Sequence, residues 1–153
     1  MIKIFVHPHR IAIGELGHFR TKEELICWLA AYKDKLPSAS EIIKPKFYLF
    51  LNFDDVRSEQ EAINFGLTPF DELMAELAAE TLLEALRAGC QKFIFSCDAG
   101  VSRSAGMAEG FGLFLQKLGK PFQMVSSRQT SPNLLVKEKL FESLKKLYFG
   151  VAT

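Results

Sequence analysis

The chain has 153 residues, enough for one domain with a full core, and its 48% hydrophobic and 24% charged residues strike an ordinary globular balance. A formal net charge of +1 excludes a broad nucleic-acid or membrane-binding field. No apolar stretch has the length of a membrane span or a signal peptide, and three cysteines make no disulfide framework, so a reducing cytoplasm is the expected setting.

Ile2 to Val6 reads as a first strand, and His7-Pro8-His9-Arg10 as a surface turn. Two histidines this close suggest a metal site, but no third ligand has a sensible spacing. Arg10 is kept as a residue that could lie near a site. Thr21 and Glu24 make a capping box, and Leu25, Trp28, Leu29 and Tyr32 then fall on one face of an expected helix. Trp28 reads as core and Cys27 as structural. Lys33 to Lys46 is a polar connector.

Phe47 to Phe53 is an unbroken apolar run, expected as a strand buried on both faces of a parallel sheet. Asp54 and Asp55 follow it, where loops beyond strand ends gather sites. Arg57 to Leu67 reads as a mobile polar loop. Thr68-Pro69-Phe70-Asp71 opens a helix that runs through Leu73, Met74 and Leu77 to Leu86 and stops at Gly89. Asp71 reads as a capping residue, with a distant claim as a catalytic acid. Cys90 reads as structural, with a resolving cysteine for Cys97 as the lesser reading.

Lys92 to Ser96 is the next strand, and it leads into Cys97-Asp98-Ala99-Gly100-Val101-Ser102-Arg103-Ser104. A helix begins near Arg103 and carries an apolar stripe of Met107, Phe111, Phe114, Leu115 and Leu118. Gly106, Gly110 and Gly112 on it suggest close packing on the sheet. Phe122 to Val125 is a last strand. Ser126 to Ser131 is a polar loop containing Arg128, and Ser131-Pro132 opens a final helix with Val136, Leu140, Leu144 and Leu147 facing the core. Strands alternating with helices predict an α/β domain over 1–153, with a mainly parallel central sheet of about four to five strands flanked by helices.

The stretch from Cys97 to Ser104 carries the chemistry. A tight loop of small residues between a strand end and a helix start suits a tetrahedral anion. Backbone N–H groups and the helix dipole favour negative charge, and a guanidinium can hold two oxygens. The same field favours a thiolate at Cys97. Burial of Cys97 as a plain small residue would leave Gly100, Arg103 and Ser104 at their spacing unexplained.

In these residues the chain resembles the cysteine-dependent protein tyrosine phosphatases. The form Cys-x-Ala-Gly-x-Ser-Arg-Ser looks most like the dual-specificity branch, and nearest to short phosphatase-like proteins of bacteria and phages. Looser likeness runs from about Phe47 to Leu144, and takes in Phe53-Asp54-Asp55-Val56 and Pro132-Asn133. Ser96 stands where the family carries a histidine that supports the thiolate, so a less activated Cys97 is expected. The resemblance implies a phosphomonoester hydrolase working through a cysteinyl-phosphate. Cys97 would be the nucleophile, and Arg103 with the backbone of Asp98, Ala99, Gly100, Val101 and Ser102 would hold the phosphate. Asp55 would be the general acid, with Asp54 the second choice, and Ser104 would donate to the sulfur.

No metal or cofactor is implied, because Arg103 and the loop supply the positive field. A pseudophosphatase that only binds phosphorylated ligands is the alternative. Sulfur transfer of the rhodanese kind also uses a cysteine loop, but the Arg103-Ser104 pair argues against it. The loop has no lysine and Asp98 follows the cysteine, which disfavours a highly anionic inositol phosphate. The expected partner is a phosphotyrosine-type protein or a small aryl phosphate, with no nucleic acid and no membrane.

Overall fold

The computed structural model describes residues 1–18, 25–35 and 44–150. In chain order its elements are β1 (Ile2–Pro8), α1 (His9–His18), β2 (Ile26–Tyr32), β3 (Phe47–Asn52), α2 (Glu59–Phe65), α3 (Glu72–Arg87), β4 (Lys92–Cys97), α4 (Arg103–Lys117), β5 (Phe122–Ser126) and α5 (Leu134–Phe149). The strands form one five-stranded sheet in the order β3-β2-β4-β1-β5. Every neighbouring pair is parallel. The expected α/β class with a mainly parallel sheet is therefore observed.

Strand alternation divides the apolar residues between two faces. Ile4, Val6, Leu29, Ala31, Phe93 and Phe95 join the larger core under α3, α4 and α5. Trp28, Ala30 and Ile94 pack instead with Ala12 and Leu16 of α1. The connection through α1 steps across the sheet towards β3, whereas those through α3 and α4 step towards β5. Crossovers of one hand that run in opposite directions must lie on opposite faces, and this is the observed division. The direction changes between β1 and β4. Their C-terminal ends lie side by side, with Pro8 opposite Cys97 and His7 opposite Ser96. An open α/β sheet leaves its crevice at such a point.

Several local expectations are corrected. The run from Leu25 to Tyr32, expected as a helix, is mostly β2. A central strand covered on both faces shows no alternation in sequence, so its apolar residues fit a helical period equally well. The Thr21–Glu24 capping box lies outside the described residues, as does the middle of the Lys33–Lys46 connector. Strand β3 is an edge strand, so it is only partly buried and Tyr48 is exposed. The expected mobile loop from Arg57 to Leu67 contains α2. Ser58 caps it, accepting the Glu61 N–H at 3.0 Å, and Gly66 closes it.

Helix α3 is capped by Asp71, which accepts the Met74 N–H at 2.9 Å, and not by Thr68. It ends just ahead of Gly89, as expected. Helix α5 is capped by Asn133 and not by Ser131. Val136, Leu140 and Leu144 are buried on it, but Leu147 is largely exposed. Of the α4 glycines, Gly106 and Gly110 face α5 and not the sheet. A Cβ on either would stand 2.6 Å from the Asn133 carbonyl or 2.7 Å from that of Lys137. Only Gly112 faces the sheet, against Phe122 of β5.

The segment expected as a histidine turn is also different. Strand β1 continues to Pro8 and α1 starts at His9. His7 and His9 are 4% and 9% exposed, so neither lies on a surface turn.

Candidate active site

The site lies at the C-terminal end of β4, in the crevice between β1 and β4. Phe93, Ile94 and Phe95 are buried on both faces of the central strand and carry the chain to Cys97, which is 2% exposed. Residues 98–102 then connect to α4, whose first residue is Arg103. The wholly buried Ser104 holds its hydroxyl oxygen 3.0 Å from the Cys97 sulfur. The Ser104 backbone N–H also donates to that sulfur, at 3.5 Å. The first turn of α4 thus points one hydroxyl and one amide at Cys97, where the partial positive charge of the helix start favours an anion.

Gly100 turns the loop in the left-handed region, at φ +69°, against the end of β1. A Cβ there would meet the Pro8 nitrogen at 2.4 Å and the His7 carbonyl carbon at 2.6 Å. Only glycine fits that approach.

The segment between β5 and α5 clasps the loop from outside. The Arg128 guanidinium donates to the Ala99 carbonyl at 3.2 Å. The N–H groups of Ser131 and Asn133 donate to the carbonyls of Val101 and Ser102 at 2.9 and 3.0 Å. A trans peptide turns its N–H opposite to its C=O. The N–H groups of Gly100, Ser102 and Arg103 therefore point away from this clasp.

The other side of the crevice comes from the chain after β3. Arg103 Nη1 donates to the Phe53 carbonyl at 2.9 Å, and Nη2 reaches Asp98 Oδ2 at 3.4 Å. Asp55 Oδ1 accepts the Ser102 hydroxyl at 2.8 Å and the Asn133 side-chain amide at 2.7 Å. Because it bonds Asp55, the Ser102 hydroxyl leaves the start of α4 without a side-chain cap. Asp54 faces elsewhere. Its Oδ2 accepts the Thr68 N–H at 2.7 Å and pairs with Lys33 Nζ at 3.3 Å. Asp55 reaches the cysteine loop and Asp54 fastens the connection between β3 and α3.

Among the described residues no cluster of three His, Cys, Asp or Glu side chains is placed to hold a metal ion. No helix among them is long and apolar enough to cross a membrane. No family model matches the chain, and no curated protein matches it significantly.

Four residues around the loop were not assigned to the site from sequence. His9 lies beneath the loop, its Nδ1 2.9 Å from the Ser96 hydroxyl and its Nε2 3.4 Å from Asp98 Oδ1. Burial lowers its pKa; Asp98 opposes that shift and Arg103 adds to it. Trp28, read as core alone, donates its indole N–H to the same Ser96 hydroxyl at 2.8 Å. Asn133 is wholly buried and joins Asp55, the Val56 carbonyl and the first turn of α5. Arg128 is the fourth. Only Asn133 had a signal in the sequence, as the side chain best suited to cap α5.

The remaining candidates lie apart. Arg10 is on the outer side of α1, with Glu15 and His18 along a shallow groove. Asp71 is occupied as a helix cap. Cys90 precedes β4 and Cys97 ends it, so roughly 20 Å of strand separates them. A disulfide needs Cα atoms within about 7 Å, which rules Cys90 out as a resolving cysteine in this fold. Burial pushes its thiol up to about 11, and burial raises Cys27 as well.

Proposed function

We propose that the chain is a phosphomonoester hydrolase of the cysteine-dependent protein tyrosine phosphatase type. The observation that carries this reading is the Ser104 hydroxyl 3.0 Å from the Cys97 sulfur, at the foot of a loop flanked by Arg103 and Asp55. A plain structural cysteine would not draw these groups to one strand end.

In the proposed reaction the Cys97 thiolate attacks phosphorus in line. The bond from phosphorus to the ester oxygen breaks, and Asp55 gives that oxygen its proton. Arg103 and the loop N–H groups hold the equatorial oxygens as their charge redistributes. Water then attacks the cysteinyl-phosphate, with Asp55 taking its proton. Ser104 donates a hydrogen bond to the departing sulfur. The products are an alcohol or phenol and inorganic phosphate.

The substrate class is a phosphotyrosine-type protein or a small aryl phosphate. Asp98, 64% exposed at the loop mouth, disfavours ligands with several phosphates. A free thiol is required, which makes a reducing cytoplasm the proposed setting. The test is hydrolysis of an aryl phosphate under reducing conditions with chelator present. Activity should survive chelator and vanish in Cys97→Ser.

One observation favours a second reading, a module that binds phosphate without turnover. Asp98 occupies Arg103 and Cys97 is almost wholly buried. Oxyanion binding without hydrolysis would select that reading.

A further inference from the structure

We propose that His9 is a positioning residue that draws the Asp98 carboxylate off Arg103 when a tetrahedral anion enters the loop. This rests on the reading that the loop takes a phosphate. It concerns how the loop makes room for one.

Arg103 Nη1 is committed to the Phe53 carbonyl at 2.9 Å. The guanidinium face left for an oxyanion includes Nη2, which Asp98 Oδ2 already contacts at 3.4 Å. An incoming dianion and Asp98 therefore compete for the same group. Two anions on one guanidinium repel each other, so the carboxylate is pushed off it as the dianion arrives, and a second polar group beside it favours that move. Its other oxygen, Oδ1, lies 3.4 Å from His9 Nε2. That nitrogen is buried and makes no hydrogen bond, so it is free to take the carboxylate.

Ser96 lets the imidazole exist in both charge states. An indole N–H only donates, so the Ser96 oxygen accepts from Trp28. The hydroxyl hydrogen then remains to donate to a neutral His9 at Nδ1. In the imidazolium, Nδ1–H donates to the second lone pair of the same oxygen. In this arrangement Nε2 carries the hydrogen in both states and lies 3.4 Å from Asp98 Oδ1, near enough to bond the carboxylate once it moves.

The groups acting on His9 are few. Strand β4 contributes Ser96, and β2 contributes Trp28 and the Ala31 backbone. Asp98 favours the imidazolium, and Arg103 at the start of α4 opposes it. An oxyanion that neutralises Arg103 and displaces Asp98 towards Nε2 removes the opposing charge and strengthens the favouring one. Anion binding and His9 protonation then help each other, by one reciprocal factor.

The test follows sulfate binding and the imidazole NMR signals together from about pH 5.5 to 8. Sulfate stays a dianion over this range, and the chain has three histidines to resolve. Wild type and Cys97→Ser are compared, the second to remove thiolate titration. Saturating sulfate is expected to raise the His9 pKa in both, and sulfate should bind about fivefold or more tightly at the acid end. In Asp98→Asn sulfate should bind more tightly at pH 8 and raise the His9 pKa by clearly less than in wild type, since only the relief of the Arg103 charge remains. His9→Asn should bind sulfate with little pH dependence; if it fails to fold, the wild-type and Asp98→Asn titrations decide alone.

A His9 titration that saturating sulfate does not move overturns the proposal and leaves the phosphatase reading standing. A wild type that binds no sulfate at any pH also overturns it. Cys97-dependent hydrolysis, measured separately, then decides the phosphatase reading.

Discussion

The Asp55 carboxylate accepts the Ser102 hydroxyl at 2.8 Å, and this bond ties the chain after β3 to the cysteine loop after β4. The two segments are 47 residues apart in sequence. Asn133 donates to the same Asp55 oxygen from the start of α5. One carboxylate oxygen thus gathers three chain segments.

Replacing this carboxylate should separate catalysis from stability. Asn in place of Asp55 keeps an oxygen for Ser102 and Asn133 but has no proton to transfer. We expect Asp55→Asn to lower kcat by about 10²–10⁴-fold. The loss should be larger for alkyl phosphates, whose leaving groups need a proton, than for activated aryl phosphates. Asp54→Ala removes the acceptor for the Thr68 N–H and the partner of Lys33. Its expected effect is a stability loss of about 1–3 kcal/mol, read by chemical denaturation. A larger fall in kcat for Asp54→Ala than for Asp55→Asn would reverse the two roles.

Two glycines with nearly the same backbone angle offer a controlled comparison. Gly100 has φ +69° and a β1 backbone in the way of any Cβ, whereas Gly119 has φ +71° and open space. Gly119→Ala should cost only the left-handed strain, about 1–2 kcal/mol. Gly100→Ala must also push the loop off Pro8, and should cost more and lower turnover. Equal unfolding midpoints for the two variants would mean that the loop yields freely at Pro8.

The structure explains which parts of this arrangement the sequence reveals. The unit β4–loop–α4 is legible because each part has its own local signal: an apolar run, then small residues with a glycine, then a helical stripe. The same holds for α3, β5 and α5. Strand β2 is not legible, because a central parallel strand buried on both faces shows no alternation, and its apolar residues fit a helical period as well. Helix α2 is hard to read although Ser58 and Glu61 have capping-box spacing, since it buries only Ala62 and shows no stripe. His9 is invisible for a different reason. Its partner Ser96 lies 87 residues away, and only the parallel register of β1 on β4 brings them together.

That pairing also changes what should be done with Ser96. On the resemblance alone, Ser96→His would restore a family feature. In the structure Ser96 is wholly buried between Trp28 and His9. An imidazole there overpacks the site and breaks both hydrogen bonds, at a cost of at least about 3 kcal/mol. Ser96→Ala keeps the volume but leaves the Trp28 indole unpaired, at a cost of about 1–3 kcal/mol. Trp28 is the single tryptophan, so its fluorescence reports the change directly. A Ser96→His variant as stable as the parent and more active would show that the pocket reorganises.

The histidines set the expected pH dependence of stability. Burial is the largest cause of a lowered pKa at both His7 and His9, from an ordinary value of 6.5. Glu15 opposes the shift at His7, as Asp98 does at His9. A group whose folded pKa is lowered binds its proton more tightly in the unfolded chain. Stability is then complete above about pH 6.5 and falls as the pH drops through 6.5 towards the folded values, because the unfolded state takes up protons first. Urea midpoints should therefore be level near pH 7.5 and decline towards pH 5. His9→Asn should remove part of that decline, and saturating sulfate should lessen it by restoring proton affinity to His9. Midpoints that rise on acidification over this range would mean that the buried imidazoles are held charged, with Glu15 and Asp98 outweighing burial.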